Sequence, residues 1–113
     1  MRKEPIPLLG DAGITAAAAG SWIPRPDVAR VAFQAFLSGT GAVAATFSIE
    51  CSNDGVTACS TTLADLELTG TDAVSDGFAS TGHWAYVRVK APTVFTGTGK
   101  TLKVSMYWER AMT

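Results

Sequence analysis

The chain predicts an all-β domain, and three features of its 113 residues carry that expectation. Apolar and polar residues alternate with a period of two over several short stretches, the pattern of strands with one buried face. Glycine, asparagine and aspartate punctuate those stretches at short intervals. No segment convincingly holds the 3.6-residue period of an amphipathic helix. Together these predict a single-domain antiparallel β-sandwich or jelly-roll-like fold of about seven to eight strands over residues 14–113, with an extended N-terminal arm over residues 1–13.

The arm carries Pro5, Pro7, Gly10 and Gly13 and no sustained period. Residues 14–23, ITAAAAGSWI, contain an alanine run that would suit a helix, but the stretch is short and holds Gly20, so a strand is expected. After Pro24 and Pro26, residues 28–37 place Val31, Phe33, Ala35 and Leu37 on one face. Residues 43–51 turn Val43, Ala45, Phe47, Ile49 and Cys51 inward and end at the reversal Asn53-Asp54-Gly55. Residues 62–68 set Ala64, Leu66 and Leu68 against Asp65 and Glu67, and a short strand is expected around Phe78. Residues 84–90 face Ala85, Val87 and Val89 inward and Trp84, Tyr86, Arg88 and Lys90 outward. In residues 101–108, Leu102, Val104, Met106 and Trp108 face in and Tyr107 faces out.

One phrase recurs: Leu37-Ser38-Gly39-Thr40-Gly41, Leu68-Thr69-Gly70-Thr71-Asp72 and Phe95-Thr96-Gly97-Thr98-Gly99. The third runs on into Lys100-Thr101 and imitates a phosphate-binding loop. That loop needs a further glycine five residues before Gly99, where Val94 stands, and a following helix, where a strand pattern stands. The phrases read instead as hairpin ends, with glycines at positions of positive φ and threonines supplying local hydrogen bonds. A functional version would gather the three into one contact surface.

The chemistry is sparse. A formal net charge of −1 with scattered Lys and Arg predicts no direct nucleic-acid or anionic-lipid partner. No apolar run approaches the ~18 residues of a membrane span, and Arg2-Lys3-Glu4-Pro5 lacks the apolar core of a secretory leader, so the chain is expected to stay where it is made. Charged residues are 17% against a usual share of about a quarter, which suits a surface partly covered by a partner. His83 stands alone and reads as a loop anchor rather than a base, so no imidazole metal cluster or triad is expected. Asp54, Asp65, Asp72 and Asp76 lack the dense spacing of a calcium loop, and no carboxylate pair suggests glycoside hydrolysis. No cofactor, no metal and no catalysis are expected. Cys51 and Cys59 flank Gly55 symmetrically; with Cys51 facing inward and no leader, two reduced thiols are expected rather than a disulfide. Trp84, Tyr86 and Tyr107 on an outer face suit burial under another part of the chain or a protein interface, with sugar stacking as the alternative.

The succession FQAFLSGTGAVAATFSIECSNDG, TLADLELTGTD, DGFASTGHWAYVRVKA and FTGTGKTLKVSMYW, within residues 31–108, resembles small virion proteins of tailed bacteriophages. In these β-sandwich subunits a strand ending in Ser-Asn-Asp-Gly is followed by Trp-x-Tyr-Val-Arg and a Gly-Thr-Gly hairpin. The resemblance implies a non-enzymatic, repetitive structural role in a virion made in the host cytoplasm, with homo-oligomeric contacts and contacts to the major capsid protein or other virion subunits. A capsid decoration or cement protein is the leading expectation, its arm ordering on binding and burying Ile6, Leu8 and Leu9 against a partner. A tail, connector or fibre subunit using Trp84, Tyr86 and Tyr107 as a glycan-binding face is the alternative.

Overall fold

Alternation decides the core. Val31, Phe33, Ala35, Leu37, Val43, Ala45, Phe47, Ile49 and Cys51 all lie on one face of a single strand, and every one is buried. The computed structural model describes residues 6–9, 11–24, 28–80 and 85–110, with the side chains of 28–30, 80 and 108–110 left aside. Among the described residues there are six strands and no helix: β1 (Ile6–Pro7), β2 (Ile23–Pro24), β3 (Val28–Ser52), β4 (Ala64–Ser80), β5 (Tyr86–Val89) and β6 (Val94–Arg110). All six belong to one antiparallel sheet, in which β3 is central. On one side it pairs with β4, from Val31↔Ser80 to Ile49↔Ala64. On the other it pairs first with β6 and then, past Thr46, with β5. The link between β5 and β6 stays on β3, because Lys90 N–H donates to the Ser48 carbonyl and Thr93 N–H to the Thr46 carbonyl, each at 2.9 Å.

The sheet curls. Twenty-five residues of straight strand would span about 80 Å at ~3.3 Å per residue, yet the longest dimension of the molecule is 48 Å. Register shifts put the bend between Ser38 and Ala42 against β4 and between Ser38 and Ala44 against β6. The side chains of both halves of β3 then join one cluster with Leu66, Leu68, Val87, Val89, Leu102, Val104 and Met106. Phe33 and Phe78, directly paired across β3 and β4, stack at 4.8 Å.

The strand count corrects the expectation of seven to eight, and the repeated phrase is the reason. The three phrases are not hairpin ends. They lie side by side across the sheet as bulges, so the stretches expected as separate strands on either side of Gly39–Gly41 form one strand, and so do those on either side of Gly70–Asp72. The first two copies align over seven residues, Leu37 to Val43 and Leu68 to Val74, and are identical at five of them. The fifth residue of each phrase is left-handed: Gly41 at φ 76°, Asp72 at 67° and Gly99 at 60°. The third leaves no room for a Cβ, which would lie 2.8 Å from Val43 Cγ1 at Gly39 and at Gly97, and 2.9 Å from Val74 Cβ at Gly70. Glycine gives close approach at one position and a bend at the other, and the same two requirements recur in three adjacent strands.

Two further expectations change. Residues 14–23 form neither helix nor continuous strand: Ile14 makes one bridge to Leu102, residues 15–19 are exposed, and only Ile23 begins β2. The described part of the arm does not reach away. Ile6 pairs with Met106, Leu8 N–H donates to the Val104 carbonyl at 2.7 Å, and Gly20 N–H donates to the Val89 carbonyl at 2.9 Å, so residues 6–9 and 11–24 follow the β5–β6 edge. Leu8 and Leu9 are 2% and 8% exposed within the chain's own core. Two consecutive leucines break the strand period and gave no sign of which surface would take them.

Candidate interaction surface

The outer face of the half sheet below the bend is the most distinctive surface described. Ladder pairs Ala32↔Tyr107, Gln34↔Ser105 and Phe36↔Lys103 run along it, with Ser75, Gly77 and Ala79 of β4 opposite Phe36, Gln34 and Ala32. Phe36 and Tyr107 are 44% and 45% exposed. Four residues of strand separate their rows, roughly 13 Å, and their β4 neighbours are small. Where this face meets the N-terminal segment, Pro7, Asp11, Gln34, Phe36, Lys103 and Ser105 line an open cleft of ≈ 480 Å³. It offers an aromatic ring, a carboxylate, an ammonium and two neutral hydrogen-bonding side chains.

The residues expected to form an aromatic face are not brought together. Tyr107 pairs with Ala32 and Tyr86 with Ser52, at opposite ends of β3 and on either side of the bend. Tyr86 is half-buried, and its ring lies against Gly55 in the turn after β3. His83 and Trp84 lie outside the described residues. Of the other expected contact residues, Ile6 is half-buried at the β6 edge, and Leu8 and Leu9 belong to the core. Phe36 was legible as an outward residue but not as exposed, since alternation cannot say whether an outer face is covered.

The turn after β3 is tied by side chains. Asp54 Oδ1 accepts from Thr57 N–H at 2.7 Å, Val56 N–H at 2.8 Å and Ser52 Oγ at 2.8 Å, and these donors hold its carboxyl well below the usual carboxylate range. Asn53 Oδ1 accepts from Ala85 N–H at 3.2 Å, fixing the start of the β5 segment. The reversal is a structural knot rather than a ligand loop. Cys59 N–H donates to the Cys51 carbonyl at 2.9 Å, so the two cysteines do face each other across this reversal. Both are thiols, Cys51 buried and Cys59 half-buried.

Acidic groups elsewhere also have local duties. Asp65 Oδ1 accepts from Ser48 Oγ at 2.6 Å and Thr62 Oγ1 at 2.9 Å; those hydroxyls, then nearby Lys90, hold its carboxyl below its ordinary value. Asp72 Oδ1 accepts from Gly41 N–H at 2.8 Å, joining two copies of the repeated phrase across the bend. Glu50, nearly buried, accepts from Arg88 Nε at 3.0 Å, while that guanidinium lies 4.3 Å from the Trp22 ring centroid. This pair anchors the N-terminal segment over β5. Sequence marked Glu50 and Arg88 as outward; only the register Glu50↔Arg88 makes them partners. Among the described residues no group of three or more His, Cys, Asp or Glu side chains converges to hold a metal ion.

No family model, curated protein or solved structure matches the chain. The site is therefore read from its own geometry: an outward face with two exposed aromatics among small neighbours, carried on a sheet whose bend is fixed by three adjacent glycine bulges.

Proposed function

We propose that this chain is a non-enzymatic structural protein of a tailed-phage virion, a capsid decoration or cement protein that stabilises the shell by binding major capsid subunits. The supporting observation is the outer face that exposes Phe36 and Tyr107 beside Ala32, Gly77 and Ala79. Aromatic anchors with small neighbours suit a protein interface, because rigid rings bury area at little entropic cost and small residues let a partner's surface approach. An antiparallel sheet curled over one core is the kind of all-β framework that such a role requires. Attachment through a sheet face replaces attachment through the arm, since Leu8 and Leu9 already belong to the core. Many copies on a repetitive shell then add modest contacts through avidity.

Co-sedimentation with purified capsids stripped of accessory proteins tests this. Wild type should pellet with the shells and raise their melting temperature, whereas Phe36→Ser/Tyr107→Ser should keep its own melting temperature and lose the shells. Unchanged binding by that folded variant, or no binding by wild type, rejects the reading.

The cleft favours one second reading, a glycan-binding part of a tail or fibre. Phe36 supplies a stacking ring, and Gln34, Asp11, Lys103 and Ser105 supply hydrogen-bonding groups. A saturable titration with host surface polysaccharide, abolished by Phe36→Ala, would move the assignment there.

A further inference from the structure

The two sides of the sheet differ in charge and in availability. β4 pairs with β3 alone, so among the described residues its 17-residue outer edge presents backbone N–H and C=O groups without a strand partner. Asp65, Glu67, Asp72 and Asp76 are all exposed on β4, and none is in an ion pair with a described residue. No Lys or Arg occurs between Val31 and Val87, so β4 carries no cation of its own. Among the residues whose side chains are described, Arg88 is engaged by Glu50 and Lys90 lies near Asp65, which leaves Lys100 and Lys103 along β6. That side ends in the N-terminal segment, where Pro7 and Pro24 remove N–H donors from the only paired residues of β1 and β2 other than Ile6 and Ile23.

An open edge of this length commonly pairs with its own copy about a two-fold axis. Here that contact would bring together two strands that each carry Asp65, Glu67, Asp72 and Asp76 and no cation, a repulsive arrangement. The edge therefore selects a partner of positive charge, and the β5–β6 side of another copy supplies one. We infer that copies of this chain associate head to tail, the acidic β4 edge of one against the lysine-bearing β5–β6 side of the next. The two patches differ, so each copy keeps one of each sign open, and repetition closes a ring or grows a filament. The inference concerns self-contact and stands apart from shell binding, so either can fail without the other.

Sedimentation velocity of the purified full chain tests it, without capsids. Wild type should form species larger than a dimer at 50 mM NaCl, with an association constant lower by roughly tenfold or more at 500 mM, where surface charges are screened. Glu67→Lys/Asp76→Lys and Lys100→Glu/Lys103→Glu should each be monomeric alone and associate when mixed in equal amounts. Their neutral counterparts, Glu67→Gln/Asp76→Asn and Lys100→Gln/Lys103→Gln, should weaken association without restoring it on mixing; circular dichroism confirms that each variant is folded. The inference is overturned if wild type stays monomeric at low salt, if assembly ignores both reversals, or if the variant that combines all four reversals, which again carries opposite signs on its two patches, stays monomeric.

Discussion

Substitution of the two glycines in Leu37-Ser38-Gly39-Thr40-Gly41 separates the two physical requirements assigned to the bend. A Cβ on Gly39 would lie 2.8 Å from Val43 Cγ1 and 2.9 Å from the Thr98 carbonyl oxygen. The valine methyl can turn away, but the carbonyl belongs to the β6 ladder and cannot, so Gly39→Ala forces the strands apart at a cost of about 2 kcal/mol. Gly41 is the reverse case: nothing lies within 4 Å of an added Cβ, yet φ is 76°. Gly41→Ala therefore carries only the left-handed penalty, about 1 kcal/mol. Asparagine distinguishes the causes, because it tolerates left-handed backbone but is larger than alanine. Asn should be milder than Ala at position 41 and harsher than Ala at position 39. Urea unfolding and thermal melting measure both, with Gly39→Ala lowering the melting temperature by roughly 8 °C. The same order of Ala and Asn at both positions would refute the division of roles.

Leu8→Ala should destabilise the chain by about 3 kcal/mol, since the side chain is 2% exposed, while the exposed Pro7→Ala changes stability little; a melting temperature unmoved by Leu8→Ala would return the arm to solvent or to a partner. Asp54 and Asp65 titrate below their unfolded value of about 3.9, so their stabilisation is fully present above about pH 5 and is lost as pH falls through the lowered folded values. Asp54→Asn should flatten the acid limb of a melting-temperature profile below about pH 4, and an unchanged slope would show that the turn does not depend on the charge. A thiol reagent should label half-buried Cys59 in the native protein and reach buried Cys51 only with denaturant; equal rates at both would place Cys51 at the surface.

The legible part of the fold was what alternation encodes. Leu66, Leu68, Val87, Val89, Leu102, Val104 and Met106 are buried where a period of two put them, and Tyr107 is outside. Alternation is local, so it survives without knowledge of pairing. Strand continuity was not legible, because Gly-Thr-Gly satisfies a hairpin end and a bulge equally well, and the choice depends on whether β4 and β6 continue past it. The N-terminal segment departs from the expected arm for a related reason. Its prolines describe backbone that cannot pair fully, which is true of an unpacked arm and also of an edge segment held at isolated points: one hydrogen bond each at Leu8 and Gly20 and a reciprocal pair at Ile14. At the candidate surface, alternation puts Tyr107 outward but does not mark Phe36 as exposed, and it treats Tyr86 and Tyr107 alike although register separates them by the whole bend.

The bend also connects the fold to the proposed role. A sheet that curves by three independent glycine turns would flex at each; this one places the three bulges in adjacent strands and joins two of them through Asp72 Oδ1 and Gly41 N–H. Asp72 is the only described residue other than glycine with positive φ, and a carboxylate there costs about 1 kcal/mol of backbone strain that glycine would not. Its compensation is the acceptor that spans the crease. Asp72→Gly should therefore leave global stability nearly unchanged, strain relieved against hydrogen bond lost, while speeding amide exchange at Gly41. Asp72→Ala keeps the strain and loses the acceptor, so it should cost about 1 kcal/mol. Equal stability of the two variants would mean that the aspartate neither strains nor ties the bend, and a rigid platform for Phe36 and Tyr107 would need another explanation.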